Sequence, residues 1–274
     1  MRRLELAQPS LDPANATDNE AASPTFSIIT VVWNRQDTIG QALDSLYRQT
    51  FADFEHVVQD GGSSDGTLTR IEQVPDRRRR LESARDTGIY DGLNRAMART
   101  TGGIIGLLHS DDYFAHNQVL ARVAACFSET GADAVFGDLE YVSQFNPERV
   151  VRHWRSGAFE PRKLRRGWMP PHPALFLKRE VVERWGGYDT TFRIAADYDA
   201  ILRYFGSGEL TAAYLPEVLV RMRTGGASNR SLGRIVRKSR EDYRALRKNG
   251  VGGAGALAWK NLGKLGQFIV GGNR

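Results

Sequence analysis

A single cysteine, Cys126, leaves this 274-residue chain without any disulfide framework. Flanked by Ala124, Ala125 and Phe127 in a helical pattern, it reads as a small buried hydrophobe rather than a nucleophile. No stretch approaches the ~20 apolar residues of a membrane span. The amino-terminal Met1-Arg2-Arg3-Leu4-Glu5-Leu6 lacks the apolar core of a secretion signal. Both absences predict a cytosolic protein. No internal repeat is present. Acidic residues almost vanish from the carboxy-terminal end, where thirteen basic side chains from Arg221 onward face only Glu241 and Asp242. That excess is larger than the +6 of the whole chain, so the preceding body is mildly acidic. A basic tail on an acidic body argues against nucleic acid as a partner over the whole surface. It favours local attraction to something anionic, with anionic lipid as one candidate.

What the chain does contain is an alternation of short apolar runs and helical patterns. Residues 1–24, rich in Ala, Asn, Asp, Pro and Ser without periodicity, read as a disordered leader. Phe26 to Trp33 has the β-branched, apolar character of a strand buried on both faces. Ile39, Ala42, Leu43, Leu46 and Tyr47 then recur at helical spacing behind Asp37 as a candidate cap. A strand from Phe54 ends at Asp60, a helix covers Gly66 to Val74, and a short strand lies near Leu81. A helix follows from Ile89 to Ala98, and a strand from Ile104 stops at Ser110-Asp111-Asp112. Strand and helix at this pitch imply right-handed βαβ crossovers, hence an α/β fold with a mainly parallel sheet. Further on, Val119 to Phe127 reads as helix, and Ala134-Val135-Phe136 and Val150-Val151 as strands. Pro161 to Trp168 reads as a basic helical connector, and Pro170-Pro171-His172-Pro173 as a loop leading into a strand at Ala174 to Leu177. Asp197 opens a helix.

The chemistry gathers where strands end. In open α/β sheets the carboxyl edge is where ligands bind. Asp111 and Asp112 are adjacent carboxylates at such an edge, of the kind that holds a hard divalent cation completed by phosphate and water; the alternative is a solvated turn. Asp60, backed by Gly61 and Gly62, is placed to accept hydrogen bonds from a nucleobase N–H while the glycines let a ligand approach the backbone; a tight turn explains the same residues.

Trp33-Asn34-Arg35, Asp60-Gly61-Gly62-Ser63-Ser64-Asp65-Gly66-Thr67, Gly88-Ile89-Tyr90-Asp91-Gly92-Leu93-Asn94 and Ser110-Asp111-Asp112, in this order and spacing, resemble glycosyltransferase family 2, inverting enzymes of the GT-A fold. The resemblance spans about residues 27–226 and lies nearest to bacterial enzymes of exopolysaccharide, colanic-acid and O-antigen assembly. It implies a Rossmann-like GT-A domain over residues 25–226, with a nucleotide-sugar half at 25–128 and an acceptor half at 129–226, followed by a basic amphipathic helical tail at 227–274. It implies that Asp60 binds the nucleobase, flanked by Val31, Trp33, Asn34 and Gly61. Asp111 would contact ribose or sugar, and Asp112 would hold Mg²⁺ or Mn²⁺ on the diphosphate of a nucleotide-diphosphate sugar, UDP-linked by preference. Arg85, Asp91 and Asn94 would line the same edge, although Asp91 and Asn94 also suit helix-start hydrogen bonding. The general base of such enzymes belongs to a Glu-Asp pair, which corresponds here to Ala196-Asp197; Asp197 would be the base, with helix capping as its alternative role, and Asp199 would lie on the wrong face. Arg223 stands near the place of a family histidine, where it would pair with phosphate or end a strand, and His172 is a candidate acceptor or phosphate contact.

In the tail, Leu232, Ile235, Val236, Tyr243 and Leu246 share one helical face, and Leu257, Trp259, Leu262, Leu265, Phe268 and Ile269 form a second amphipathic stretch. Helices of this type either lie in a membrane interface, near a glycan or lipid-linked acceptor, or pack on their own domain. Peripheral attachment to the inner face of a cytoplasmic membrane is the corresponding expectation. Two other functions compete: a two-carboxylate glycoside hydrolase, which needs neither a nucleotide pocket nor a metal, and a non-catalytic membrane or polyanion binder on a transferase scaffold.

Overall fold

The computed structural model describes residues 23–224 and 232–260. The leader reading at 1–22, the segment at 225–231 and the 261–274 end of the tail lie outside the described residues. Within them, nine strands form one sheet, in the order Arg79–Ser83, Phe54–Asp60, Phe26–Val32, Ile104–Leu107, Leu175–Lys178, Ala134–Val142, Ala212–Arg223 and Asp112–Phe114, with Val150–Trp154 joined to Ala134–Val142.

Residues 26–107 follow the predicted alternation closely. β1 (Phe26–Val32) and β2 (Phe54–Asp60) are buried along their whole length, as their continuous apolar runs require. α1 (Ile39–Tyr47), α2 (Thr67–Glu72), β3 (Arg79–Ser83), α3 (Ile89–Ala98) and β4 (Ile104–Leu107) complete it, with β3, β2, β1 and β4 mutually parallel. Thr38, not Asp37, precedes α1, and no side chain caps that helix.

Beyond β4 the sheet becomes mixed. β5 (Asp112–Phe114) comes next in sequence, so the second aspartate of the acidic pair belongs to a strand rather than to a free turn. α4 (Val119–Thr130) leads to the long β6 (Ala134–Val142), followed by β7 (Val150–Trp154). The predicted helical connector shrinks to one turn, α5 (Pro161–Leu164), because Gly167 sits at φ 76°, where a Cβ would meet the Lys260 side chain at 2.3 Å. The proline loop tightens into a 3₁₀ turn at His172–Ala174 before β8 (Leu175–Lys178), α6 (Arg179–Trp185) and α7 (Ala196–Gly206). β9 (Ala212–Arg223) pairs parallel to β6 and antiparallel to β5, carrying Met222 opposite Asp112.

α8 (Leu232–Lys248) is a layer of the fold rather than a detached appendage. Ala245 and Leu246 are wholly buried against the cluster that contains Tyr198, Ile201, Leu202 and Phe205 of α7. Its predicted apolar face therefore divides: Leu246 enters the core while Ile235, Val236 and Tyr243 stay exposed. Residues 254–260 are helical and bring Lys260 to 3.0 Å from Asp242 and over the Tyr198 ring. Among the described residues no helix is long and apolar enough to cross a membrane.

Candidate active site

The carboxyl ends of β1, β2 and β4 meet side by side, with Val32 paired to Asp60 and the Leu108 N–H donating to the Ile29 carbonyl. On this edge two loops are stitched together. Asn34 adopts φ 50°, a left-handed conformation that Asn tolerates. Its N–H donates to Ser63 Oγ at 2.9 Å and its Oδ1 accepts from the Ser64 N–H at 2.9 Å. The Arg35 N–H donates to Thr67 Oγ1, and Gln36 Oε1 accepts from the Gly66 N–H. Trp33 projects into solvent at 60% exposure beside this seam, whereas Val31 is buried.

Asp60 is fully buried at the centre of that seam. Its Oδ2 accepts from the N–H groups of Gly62 and Ser63, both at 3.0 Å, and from Ser83 Oγ at 2.6 Å, while Oδ1 accepts only from Ser63 Oγ. One oxygen thus keeps acceptor capacity, and the other organises the glycine loop. Beside it lies Asp86, a carboxylate that the sequence reading missed. Burial raises its proton affinity above the ordinary carboxylate value, with Asp91 and Asp60 adding to the effect. Gly61 and Gly92 make its place: a Cβ on Gly61 would come within 2.7 Å of Asp86 Oδ2, and one on Gly92 within 2.7 Å of Val31 Cγ1.

Not every predicted contact faces this edge. Asp91 accepts from the Thr87 N–H at 2.9 Å and pairs with Arg95, so it serves the start of α3, and the Thr87 N–H holds its carboxyl below the ordinary range. Asn94 grips the Tyr188 backbone through both its amide groups, at 2.8 and 2.9 Å. Arg85 is exposed at the rim, its carbonyl accepting from Arg95.

The acidic turn is built differently. Asp111 is partly exposed, with Arg35 at 3.9 Å. Asp112 is buried, and its Oδ1 has no hydrogen-bond partner. Burial and then the Asp111 charge push the Asp112 carboxyl well above its ordinary value, against the opposing Arg223 backbone N–H and guanidinium. Arg223 itself donates to the Asp111 carbonyl at 2.8 Å and to Gln41 Oε1, and lies over the Tyr113 ring. A buried carboxylate oxygen left without a partner, beside a second carboxylate, fits a divalent cation completed by substrate oxygens. Among the described residues no group of three or more His, Cys, Asp or Glu is gathered to hold an ion by itself.

Asp197 reaches the same region through two histidines. It sits in the first turn of α7, where Oδ1 accepts from the Tyr198 N–H at 2.8 Å and Tyr90 Oη approaches at 3.3 Å while donating to the Ile194 carbonyl at 2.7 Å. His109, directly before the acidic turn, feels both Asp111 and Asp197, although burial dominates and lowers its proton affinity. Its ring stands 6.0 Å from that of His172. His172 hydrogen-bonds Tyr188 Oη at 2.7 Å, and burial holds its imidazole down at about 4. The two histidines therefore stand side by side, both held neutral and both within electrostatic reach of Asp197. Asp199, one helical step away, turns inward to Lys248, Arg203 and Asn249 as its spacing implied. A crevice of about 650 Å³ lies behind α7, lined by Met97, Arg179, Arg203 and Lys248, and Asp60, Asp111, Asp112 and Asp197 take no part in it.

Comparison with known proteins agrees with this geometry. The family model for "Glycosyl transferase family 2" matches residues 27–185. A PGL/p-HBAD biosynthesis glycosyltransferase of Mycobacterium tuberculosis is 36% identical over 214 residues, covering 76% of this chain and 80% of the relative. Among solved structures, S. aureus TarS residues 1–349 in complex with UDP-GlcNAc superposes with TM-score 0.62 at 17% identity, covering 83% of this chain and 66% of that one. The chain spans only 39% of the longer TarS chain. The mannosyltransferase PcManGT of Pyrobaculum calidifontis, in complex with GDP-Man and Mn²⁺, superposes with TM-score 0.60 at 21% identity over 83% of this chain and 64% of its own.

Proposed function

The chain belongs to glycosyl transferase family 2 and is a glycosyltransferase of GT-A-like α/β fold; from that premise we propose that it transfers a sugar with inversion from a nucleotide-diphosphate donor, UDP-linked by preference, to a glycan or lipid-linked acceptor. One observation carries the reading: His109, at the acidic turn whose Asp112 keeps a buried oxygen without a hydrogen-bond partner, lies within electrostatic reach of both Asp111 and Asp197. Residues 25–128 present the donor and residues 129–226 the acceptor side. Asp60 and the Val31–Asn34 backbone receive the nucleobase, Gly61 allows its close approach, and Asp111 meets the ribose or sugar. Asp112 would hold Mg²⁺ or Mn²⁺, which when bound neutralises charge on the departing diphosphate. Arg223 adds fixed positive charge at the same place and secures the acidic turn. Asp197 takes the proton of the acceptor hydroxyl as its oxygen bonds to the anomeric carbon and the bond to the nucleoside diphosphate breaks. His109 and His172, half-buried and held neutral, supply neutral hydrogen-bonding nitrogens to the acceptor.

The UDP-GlcNAc complex of TarS and the GDP-Man complex of PcManGT support a nucleotide-sugar donor, and the Mn²⁺ of the latter supports a divalent ion. The exposed Ile235, Val236, Tyr243 and Trp259, set among basic side chains, are the surface we assign to a membrane carrying the acceptor. Asp197→Asn tests the central claim. Transfer should fall roughly 10²- to 10⁴-fold, the usual contribution of a positioned base, while UDP binding in the presence of Mn²⁺ measured by calorimetry stays unchanged. Full transfer activity in that variant removes Asp197 from its role.

A further inference from the structure

The N-cap of α7 is Ala195, which has no side chain to accept from the free N–H groups of the first turn, and Asp197 takes only that of Tyr198. The segment leading into the helix is held from α8. Glu241 Oε2 accepts from the Ile194 N–H at 2.8 Å, the Ala195 N–H at 3.0 Å and the Arg193 N–H at 3.1 Å. Three consecutive donors on one carboxylate make a strong, directional hold, because charge-assisted bonds are about twice as strong as neutral ones. The peptide at Ile194 is thereby gripped from both sides, its N–H by Glu241 and its carbonyl by Tyr90. A second fastening lies one turn into α7, where the buried Asp199 takes Lys248 Nζ at 3.0 Å and Asn249 Nδ2 at 2.9 Å. Asp197 sits between these two fastenings.

We infer that Glu241 is a positioning residue for the reaction: from a helix outside the family-matched 27–185 region it caps the entry to α7, through the N–H groups of residues 193–195, and fixes where Asp197 stands. The inference rests on the reading of Asp197 as base. It assigns to the basic tail a part in catalysis that its charge does not suggest, since an acidic side chain, Glu241, holds the approach to α7 beside the Lys248–Asp199 pair.

Two measurements on the full chain test it. Backbone hydrogen exchange over residues 193–197 should accelerate at least about tenfold in Glu241→Ala, while α3 keeps its protection. Turnover, followed as nucleoside diphosphate release from a panel of UDP- and GDP-sugars with Mn²⁺, should fall roughly 10- to 100-fold in kcat with donor KM within about threefold. Glu241→Gln keeps an oxygen acceptor at the same reach and should recover part of the loss; it also carries the comparison if Glu241→Ala does not fold. Unchanged exchange would refute the cap, and faster exchange with wild-type kcat would refute its role in turnover. Should Asp197→Asn retain full activity, the base assignment falls, whereas the exchange result still judges the cap on its own.

Discussion

The two sides of the cleft are held in place by opposite means. On the donor side, residues 33–36 and 60–67 hold one another through backbone N–H groups and short polar side chains some thirty positions apart in the chain. On the base side, Asp197 depends on Tyr90 of α3 and on the α7 start that Glu241 of α8 secures, and these partners are separated in sequence by 107 and 46 to 48 positions. The proposed donor site is thus a module that its own loops specify, whereas the proposed base is placed by the assembled domain. A variant can therefore disturb the entry to α7 while residues 33–36 and 60–67 keep their bonds.

Removing the central carboxylate on each side measures that contrast. Asp60→Ala leaves two N–H groups and two hydroxyls buried without their acceptor and should cost about 3–5 kcal/mol of stability in urea titration. Asp199→Ala should cost less, about 1–3 kcal/mol, because Lys248 and Arg203 reach solvent and Lys248 keeps Asp189 at 2.8 Å. Equal losses would erase the distinction. Gly92→Ala confronts Val31 and Asp86 with a Cβ at 2.7 and 2.9 Å, so overpacking should lower stability by about 1–3 kcal/mol and weaken UDP binding while sparing the exchange protection of residues 193–197.

Acid provides the smallest and most even comparison. Three histidines are held neutral by desolvation: His56, bonded to Tyr47 and Thr30 and held at about 3, His172 at about 4, and His109, also lowered, all from an ordinary 6.5. Each is neutral when folded and binds a proton more readily when unfolded. Their contribution is complete above pH 6.5 and declines as pH falls, until about 4 for His172 and about 3 for His56. The expected slope is about 1.4 kcal/mol per pH unit for each histidine. His172→Gln should remove about a third of the combined histidine slope just below pH 6.5; an unaltered slope would show that His172 does not contribute.

The same division governs what the sequence reveals. β1, β2, α3 and β4 announce themselves because a buried strand, its turn residues and the following helix are contiguous, and the acidic edge follows from where those strands stop. β5 escapes notice because three residues, Asp112 to Phe114, carry no periodicity, and their strand character comes from pairing with Met222 to Val220 far away. Asp86 leaves only an indirect trace, in the two glycines that make room for it. Glu241 leaves none, being half of one acidic pair in a basic helix whose partner N–H groups lie 46 to 48 residues earlier. Ile235 and Leu246 share a face by periodicity alone, yet only the second meets a neighbouring helix.

The antiparallel join of β5 to β9 also sets a schedule for synthesis. Chains emerge amino terminus first and their early portions begin to fold as they appear, but Asp112 can be pinned only when Met222 arrives from the ribosome more than a hundred residues later. A nascent chain can therefore possess the stitched loops at 33–36 and 60–67 while its acidic turn is still open and the entry to α7 is not yet held by Glu241. On the proposed assignment of roles, the last quarter of translation is what completes the transferase.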